Sequence, residues 1–235
     1  MIKTVLWDMD GTLLDFLADE RATIRTVFED FGLGACTDAM LARYSEINVG
    51  FWERLERNEL TRPQVLTGRF EQFFREYGID PQLVTAFNDR YESTLGNTVV
   101  FCDDSLNVVK ALKGRVKQYL VSNGTVAVQR KKLERSKLGE QMDGVFLSEE
   151  LGVEKPDRAF FEKVLTEICA DDLSSVMIVG DSLTSDIQGG MNAGIKTCWY
   201  NPRQKPVPGK YRVDYSISDL HALISLLDAE GSGIH

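Results

Sequence analysis

Asp8 and Asp10 stand two residues apart where the first apolar run of the chain, Thr4 to Trp7, gives way to Asp-Met-Asp-Gly-Thr. On an extended backbone, side chains two apart project to the same side, so both carboxylates reach one place. Two such anions repel each other unless a cation or a proton is shared between them. The pair therefore invites a hard, oxygen-seeking ion such as Mg²⁺. Gly11 and Thr12 suit a sharp turn into a loop. Taken alone, aspartates after a strand more often do no more than cap the turn that follows.

Three later clusters share this placement, each at or just after the end of an expected strand. Ser122-Asn123-Gly124 offers a hydroxyl and a backbone able to curl its N–H groups around a phosphate. By itself it reads more readily as an ordinary helix N-cap. In Glu154-Lys155-Pro156-Asp157 the proline biases Lys155 to an extended conformation and opens a helix. A lysine turned inward there neutralises phosphate and carboxylate charge, whereas lysines in general lie in solvent. Gly180-Asp181 closes the apolar run Val176 to Val179, and Asp186 follows five residues on. Asp181 could complete a magnesium site, with Asp186 ordering water around the ion or holding the loop; by itself the pair reads also as an Asp N-cap and a polar loop.

The elements that must position these groups come from hydrophobic periodicity. Strands are expected at Thr4 to Trp7, Val116 to Val121, Val145 to Ser148, Val176 to Val179, Thr197 to Tyr200 and around Tyr215 to Ile217. Helical stretches separate the later ones, except that a proline- and lysine-containing surface loop, Asn201 to Gly209, precedes the last. Alternating strands and helices imply a parallel sheet covered on both faces, a doubly wound α/β fold with a Rossmann-like core. After the first strand the pattern changes. Ile24, Val27, Phe28 and Phe31 fall at helical spacing, as do Tyr44, Ile47, Phe51 and Leu55, then Leu66, Phe70, Phe73 and Tyr77. Residues 16–95 are therefore expected to form an inserted helical bundle of about four helices, the cap, beside a core of 1–15 and 96–235. An insertion there lies beside the strands' carboxyl ends, where open α/β sheets bind ligands.

A net charge of −9 over 235 residues argues against a nucleic acid polymer or an acidic membrane as partner. No apolar run is long enough to span a bilayer. The four cysteines, Cys36, Cys102, Cys169 and Cys198, form neither a zinc pattern nor a disulfide framework, and buried reduced thiols in a cytoplasmic protein are expected. There are only two histidines, His221 and the terminal His235, so acid–base chemistry is expected to run on carboxylates. His221 is assigned to ordinary packing.

In order and placement, the four clusters resemble the four motifs of the haloacid dehalogenase superfamily of phosphohydrolases, and the insertion resembles its helical cap. Ser-Asn-Gly-Thr-Val-Ala-Val-Gln-Arg-Lys-Lys-Leu, Gly-Val-Glu-Lys-Pro-Asp-Arg-Ala-Phe-Phe and Trp-Tyr-Asn-Pro resemble its pyrimidine 5′-nucleotidase branch. The resemblance implies a Mg²⁺-dependent phosphate-monoester hydrolase in which Asp8 attacks phosphorus and becomes an aspartyl-phosphate. Asp10 would protonate the leaving oxygen, later deprotonate the attacking water, and offer its backbone carbonyl to the metal. Ser122 and Lys155 would hold the transferring phosphoryl group, and Asp181 would supply the other metal carboxylate, with Asp186 behind it. Met9, Asn123 and Gly124 would line the phosphate. Phe16 and Trp52, with Tyr44, Phe51 and Arg54, are candidates on the cap for a nucleoside, although aromatics at helical spacing are more often the cap's own core.

The implied substrate is a small phosphorylated metabolite, with pyrimidine deoxynucleotides first and a sugar phosphate or phosphomutase reaction as the alternative. Asp10 sets the chain apart from the dehalogenase branch, because an alkoxide leaves poorly without a proton. The phosphonatase branch needs a cap lysine, and no lysine lies between Lys3 and Lys110. A phosphoryl-accepting regulatory domain would lack both the cap and an acid two residues after the nucleophile. A monomer or homodimer is expected.

Overall fold

The computed structural model describes residues 1–232. The chain opens with β1 (Thr4–Trp7) and leaves the sheet for four helices, α1 (Phe16–Asp30), α2 (Asp38–Glu56), α3 (Arg62–Tyr77) and α4 (Val84–Thr94). Alternation follows through α5 (Ser105–Leu112), β2 (Lys117–Ser122), α6 (Val126–Ser136), β3 (Gly144–Leu147), α7 (Ser148–Leu151) and α8 (Arg158–Glu167). The chain ends with β4 (Val176–Gly180), α9 (Gln188–Ala193), β5 (Lys196–Tyr200), β6 (Tyr215–Ile217) and α10 (Ala222–Ser232). His235 lies outside the described residues.

The six strands form one sheet in the order β3-β2-β1-β4-β5-β6, and every pairing is parallel. This is the doubly wound arrangement expected. Val5, Leu6 and Trp7 are buried, as are all the residues of β4, which is why these strands read as unbroken apolar runs. The sheet order reverses at β1, so β2 and β4 flank it and the crevice at their carboxyl ends receives Asp8, Ser122 and Asp181. Trp7 packs in the core with its indole N–H donated to Gln118 Oε1 at 3.1 Å, satisfying a polar atom buried between the two strands.

Two compact units divide the chain, residues 1–15 with 100–235 and residues 16–99. The boundary falls later than residue 95 because Asp19 of α1 accepts the N–H groups of Gly96 (2.8 Å) and Thr98 (3.3 Å), tying that segment to the helices. In the second unit, Phe28, Tyr44, Phe70, Phe73, Phe74, Phe87 and Tyr91 form a buried aromatic cluster; Tyr44 stacks on Phe70 with centroids 5.1 Å apart. Tyr44 is therefore part of the bundle's packing and is not exposed to a nucleoside. α3 starts on a Thr61–Gln64 capping box with Pro63 in its first turn.

Buried polar groups also hold this bundle. Arg69, 1% exposed, lies over the Tyr91 ring and reaches Asn48 (3.0 Å) and Glu92 (2.8 Å). Glu20, also 1% exposed, accepts from Ser45 Oγ and from Asn48 Nδ2. Burial raises the Glu20 pKa above its ordinary value, outweighing the hydrogen bonds from Ser45 and Asn48 and the charge of Arg69. A raised folded pKa means stability that is complete below the unfolded pKa and is lost as pH rises through the folded one. Glu20→Gln keeps the shape and removes the charge, so the variant is expected to melt about 2–4 °C above wild type at pH 8, with a smaller gain at pH 5. Thermal melts at the two pH values check this.

The cysteines are free, but only Cys198 is buried; Cys36 and Cys102 are half-buried and Cys169 is exposed. The expectation of four buried thiols is corrected accordingly. Cys169 sits in the turn after α8 with a positive φ of 51°, outside the packed face that hydrophobic patterning describes.

Candidate active site

Asp8 continues β1 by one residue, its N–H donated to Val179 O at 2.9 Å. The chain then turns sharply, with the Leu13 and Leu14 N–H groups both donated to Met9 O. Gly11 makes the turn possible. Its φ is +91°, and a Cβ there would sit 2.6 Å from Asp181 Oδ2. Thr12, fully buried, joins the two acids: its hydroxyl donates to Asp8 Oδ2 at 3.0 Å and accepts the Asp181 N–H at 3.0 Å. The sequence reading gave Thr12 a turn role only. Met9 is buried through its side chain and faces the core.

Lys155 reaches the same centre from the loop after α7. Its ammonium group donates to Asp8 Oδ1 (2.8 Å), Asp186 Oδ1 (2.6 Å) and Val121 O (3.0 Å), which uses all three of its protons. The residue is 1% exposed, so it is not a surface lysine. It lies beyond α7, further from the end of β3 than expected, and α8 begins at Arg158, with Asp157 as the N-cap accepting from Ala159. The Lys155–Pro156 bond is cis. Asn123 splints the lysine's backbone: Nδ2 donates to Lys155 O and Oδ1 accepts the Lys155 N–H, both at 2.8 Å. The Asn123 amide, expected beside the phosphate, is thus turned toward Lys155.

Asp181 and Asp186 follow β4. A π-helical turn, Leu183–Ile187, swings Asp186 back so that its Oδ2 accepts the Ser182 N–H at 3.1 Å while Oδ1 holds Lys155. Trp199 of β5 donates its indole N–H to Asp181 O at 2.9 Å, an anchor that sequence reading left unassigned within Trp-Tyr-Asn-Pro.

The carboxylate oxygens of Asp8, Asp181 and Asp186 approach within 4.8 Å of one another. Burial, and after it the Asp186 charge, pushes the Asp8 carboxyl up to about 7 despite the Lys155 ammonium. Asp181 is open to solvent at the mouth of the crevice, yet the protein packed around it, then the charges of Asp8 and Asp186, raise its carboxyl above the ordinary range. Burial works against the Lys155 charge, but Asp186 and Asp8 outweigh it and raise its pKa. Three crowded acids against one ammonium leave an excess of negative charge among hard oxygen donors. That set fits a small divalent cation, which would relieve the same repulsion that raises the two carboxyls. Asp186 lies within this group, with its two oxygens engaged by the Lys155 ammonium and the Ser182 N–H.

Asp10 faces elsewhere. Its Oδ1 accepts from Lys132 Nζ and its Oδ2 from Gln129 Nε2, each at 2.7 Å. Gln129 also reaches Ser122 Oγ at 2.6 Å. Neither Gln129 nor Lys132 was singled out from sequence. The inner face of α6, Val128, Gln129, Lys132, Leu133 and Ser136, carries the missed periodicity. In the helical unit, Phe16 opens α1 half-buried, and Trp52 is half-buried with the Arg62 guanidinium 5.9 Å from its ring centroid. His221 is exposed against Asp219 and takes no packed place.

Known proteins agree with this architecture. Residues 2–194 match the haloacid dehalogenase-like hydrolase family. The chain is 34% identical to the HAD-hydrolase YfnB of Bacillus subtilis over 98% of its own length and 97% of that protein's. It is 32% identical to the pyrimidine 5′-nucleotidase PynA of Streptococcus pneumoniae, covering 96% and 95% of the two chains. It is 30% identical to the pyrimidine 5′-nucleotidase YjjG of Escherichia coli, covering 95% and 96%. The magnesium-bound crystal structure of YfnB superposes with a TM-score of 0.90, covering 97% of this chain and 99% of that one. The chain belongs to the haloacid dehalogenase-like hydrolase family.

Proposed function

We propose that this protein hydrolyses phosphate monoesters through an aspartyl-phosphate on Asp8, and that pyrimidine 5′-mononucleotides are its preferred substrates. The observation that carries this reading is the fixed carboxylate of Asp8, held by Lys155 and Thr12 at the sheet's switch point, with a second acid, Asp10, two residues on. A carboxylate so placed is a nucleophile. Its attack forms an Asp8–phosphorus bond and breaks the bond from phosphorus to the ester oxygen, which takes the proton of Asp10. Water then attacks the phosphorylated Asp8, gives a proton to Asp10, and frees inorganic phosphate and the original carboxylate. Ser122 would hold a phosphoryl oxygen in both steps, while Lys155, its protons directed to Asp8, Asp186 and Val121 O, would offset the negative charge gathered there. Asp8, Asp181 and Asp186 would hold Mg²⁺, which supplies charge neutralisation for an anion meeting a phosphate dianion.

The pyrimidine preference is supported by similarity to PynA and YjjG across nearly the whole chain. Phosphate release measured over dUMP, dTMP and hexose phosphates, with Mg²⁺ or with a chelator, tests the proposal. The expected result is metal-dependent release with kcat/KM highest for the deoxynucleotides. Higher kcat/KM on hexose phosphates would overturn the substrate, and no release from any monoester would overturn the activity.

A further inference from the structure

Among the polar side chains on the buried face of α6 are Gln129 and Lys132, three residues apart. Gln129 is 0% exposed and Lys132 2%. We propose that Gln129 and Lys132 are positioning residues that fix the Asp10 carboxylate and the Ser122 hydroxyl as one unit. The inference rests on the reading of Asp10 as the group that protonates the leaving oxygen.

Both oxygens of Asp10 are taken. Lys132 Nζ holds Oδ1 and Gln129 Nε2 holds Oδ2, each at 2.7 Å, so the carboxyl plane cannot rotate freely about its last bond. Lys132 is buried for this contact although Asp10 itself is partly open, its side chain 24% exposed. A buried ion pair adds little to stability compared with apolar side chains of the same volume, so packing alone is a poor reason to place a lysine here.

Gln129 also sets the polarity of Ser122. The Ser122 oxygen accepts one bond from Gln129 Nε2 at 2.6 Å and another from the Gly124 N–H at 3.2 Å. A hydroxyl accepts two hydrogen bonds and donates one. With both lone pairs occupied, the Ser122 proton is left to donate outward, as an oxygen of a bound phosphoryl group requires. The opposite orientation of the Gln129 amide would set its Oε1 against an oxygen of Asp10. The observed orientation instead leaves Oε1 buried with no hydrogen-bond partner among the described residues. Gly124 provides the room, because a Cβ there would lie 2.2 Å from Gln129 Nε2.

The leaving group separates positioning from mere support. The value of kcat/KM reports the steps up to formation of the aspartyl-phosphate. 4-Nitrophenyl phosphate expels a stable phenolate that needs no proton, while dUMP expels an alkoxide that does. Lys132→Met is expected to lower kcat/KM for dUMP by about 10²-fold and for 4-nitrophenyl phosphate by less than about ten-fold, the signature of a displaced acid. Lys132→Arg is expected to recover at least about ten-fold of the dUMP loss. Gln129→Leu leaves the ion pair intact and gives the same comparison if Lys132→Met does not fold; it too is expected to lower the dUMP to aryl ester ratio. Equal loss on both esters, or no loss on dUMP, overturns the inference. Asp10→Asn, run alongside, tests the reading beneath it. A selective loss in Asp10→Asn without one in the α6 variants sinks only the positioning role, whereas an Asp10→Asn enzyme that still favours dUMP sinks the acid role itself.

Discussion

Asp8→Asn is expected to fold and to lose turnover of any cleaved monoester by at least about 10⁴-fold, as happens when a covalent nucleophile is removed. The substitution is nearly isosteric. The asparagine carbonyl can still accept the bond that Lys155 now gives to Oδ1 at 2.8 Å, and Thr12 can turn its hydroxyl to receive the amide. Lys155 keeps Asp186 as its counter-charge in this variant, at 2.6 Å, so its ammonium is not left unpaired. A thermal melt beside a phosphate-release assay separates loss of chemistry from loss of fold. Turnover near the wild-type level in a folded Asp8→Asn protein would remove the nucleophile assignment.

Lys155→Met is expected to damage both fold and function. The ammonium is 1% exposed and bridges Asp8 and Asp186, which are 7% and 1% exposed. Removing one partner of a buried ion pair leaves uncompensated charge and typically costs about 3–5 kcal/mol. For a chain of this size the melting temperature is expected to drop by on the order of 10 °C. Lys155→Arg is not expected to restore it, because a planar guanidinium cannot direct three donors to Asp8, Asp186 and Val121 O as the ammonium does. A melt within 2–3 °C of wild type, on the scale of about 1 kcal/mol, would show that the buried pair has relaxed into solvent.

The strand-end acids were legible in the sequence because each follows an apolar run that cannot be anything but buried. Val176 to Val179 announces β4, and whatever follows it must emerge at the carboxyl end of the sheet, so Asp181 could be placed without coordinates. The helical insertion was legible for the same reason, from repeated aromatic spacing. What sequence hid was direction. Lys132 sits in the run Arg130-Lys131-Lys132, which reads as a solvated stretch until the phase of α6 is fixed by Val128, Leu133 and Ser136. Asn123 follows a phosphate-type serine, yet its amide turns to the Lys155 backbone, a partner 32 residues away that no local pattern names. Thr12 looked like turn chemistry because its second partner, Asp181, is 169 residues distant.

The position of β1 has a consequence for how the protein is made. Its two neighbours in the sheet, β2 and β4, leave the ribosome long after it does, and their register with it spans Thr4 to Lys117 and Thr4 to Val176. The first strand must therefore wait, unpaired, while residues 16–99 are synthesised. Those residues form a unit of their own. On either side of them, Asp15 donates its N–H to Val100 O at 2.8 Å and Cys102 donates to Leu13 O at 3.1 Å. Once the helices have folded, a very long excursion is closed at its neck. The entropy of bringing β1 to β2 then becomes that of a much shorter loop, and an intact neck hastens the slow, non-local pairing on which the sheet depends.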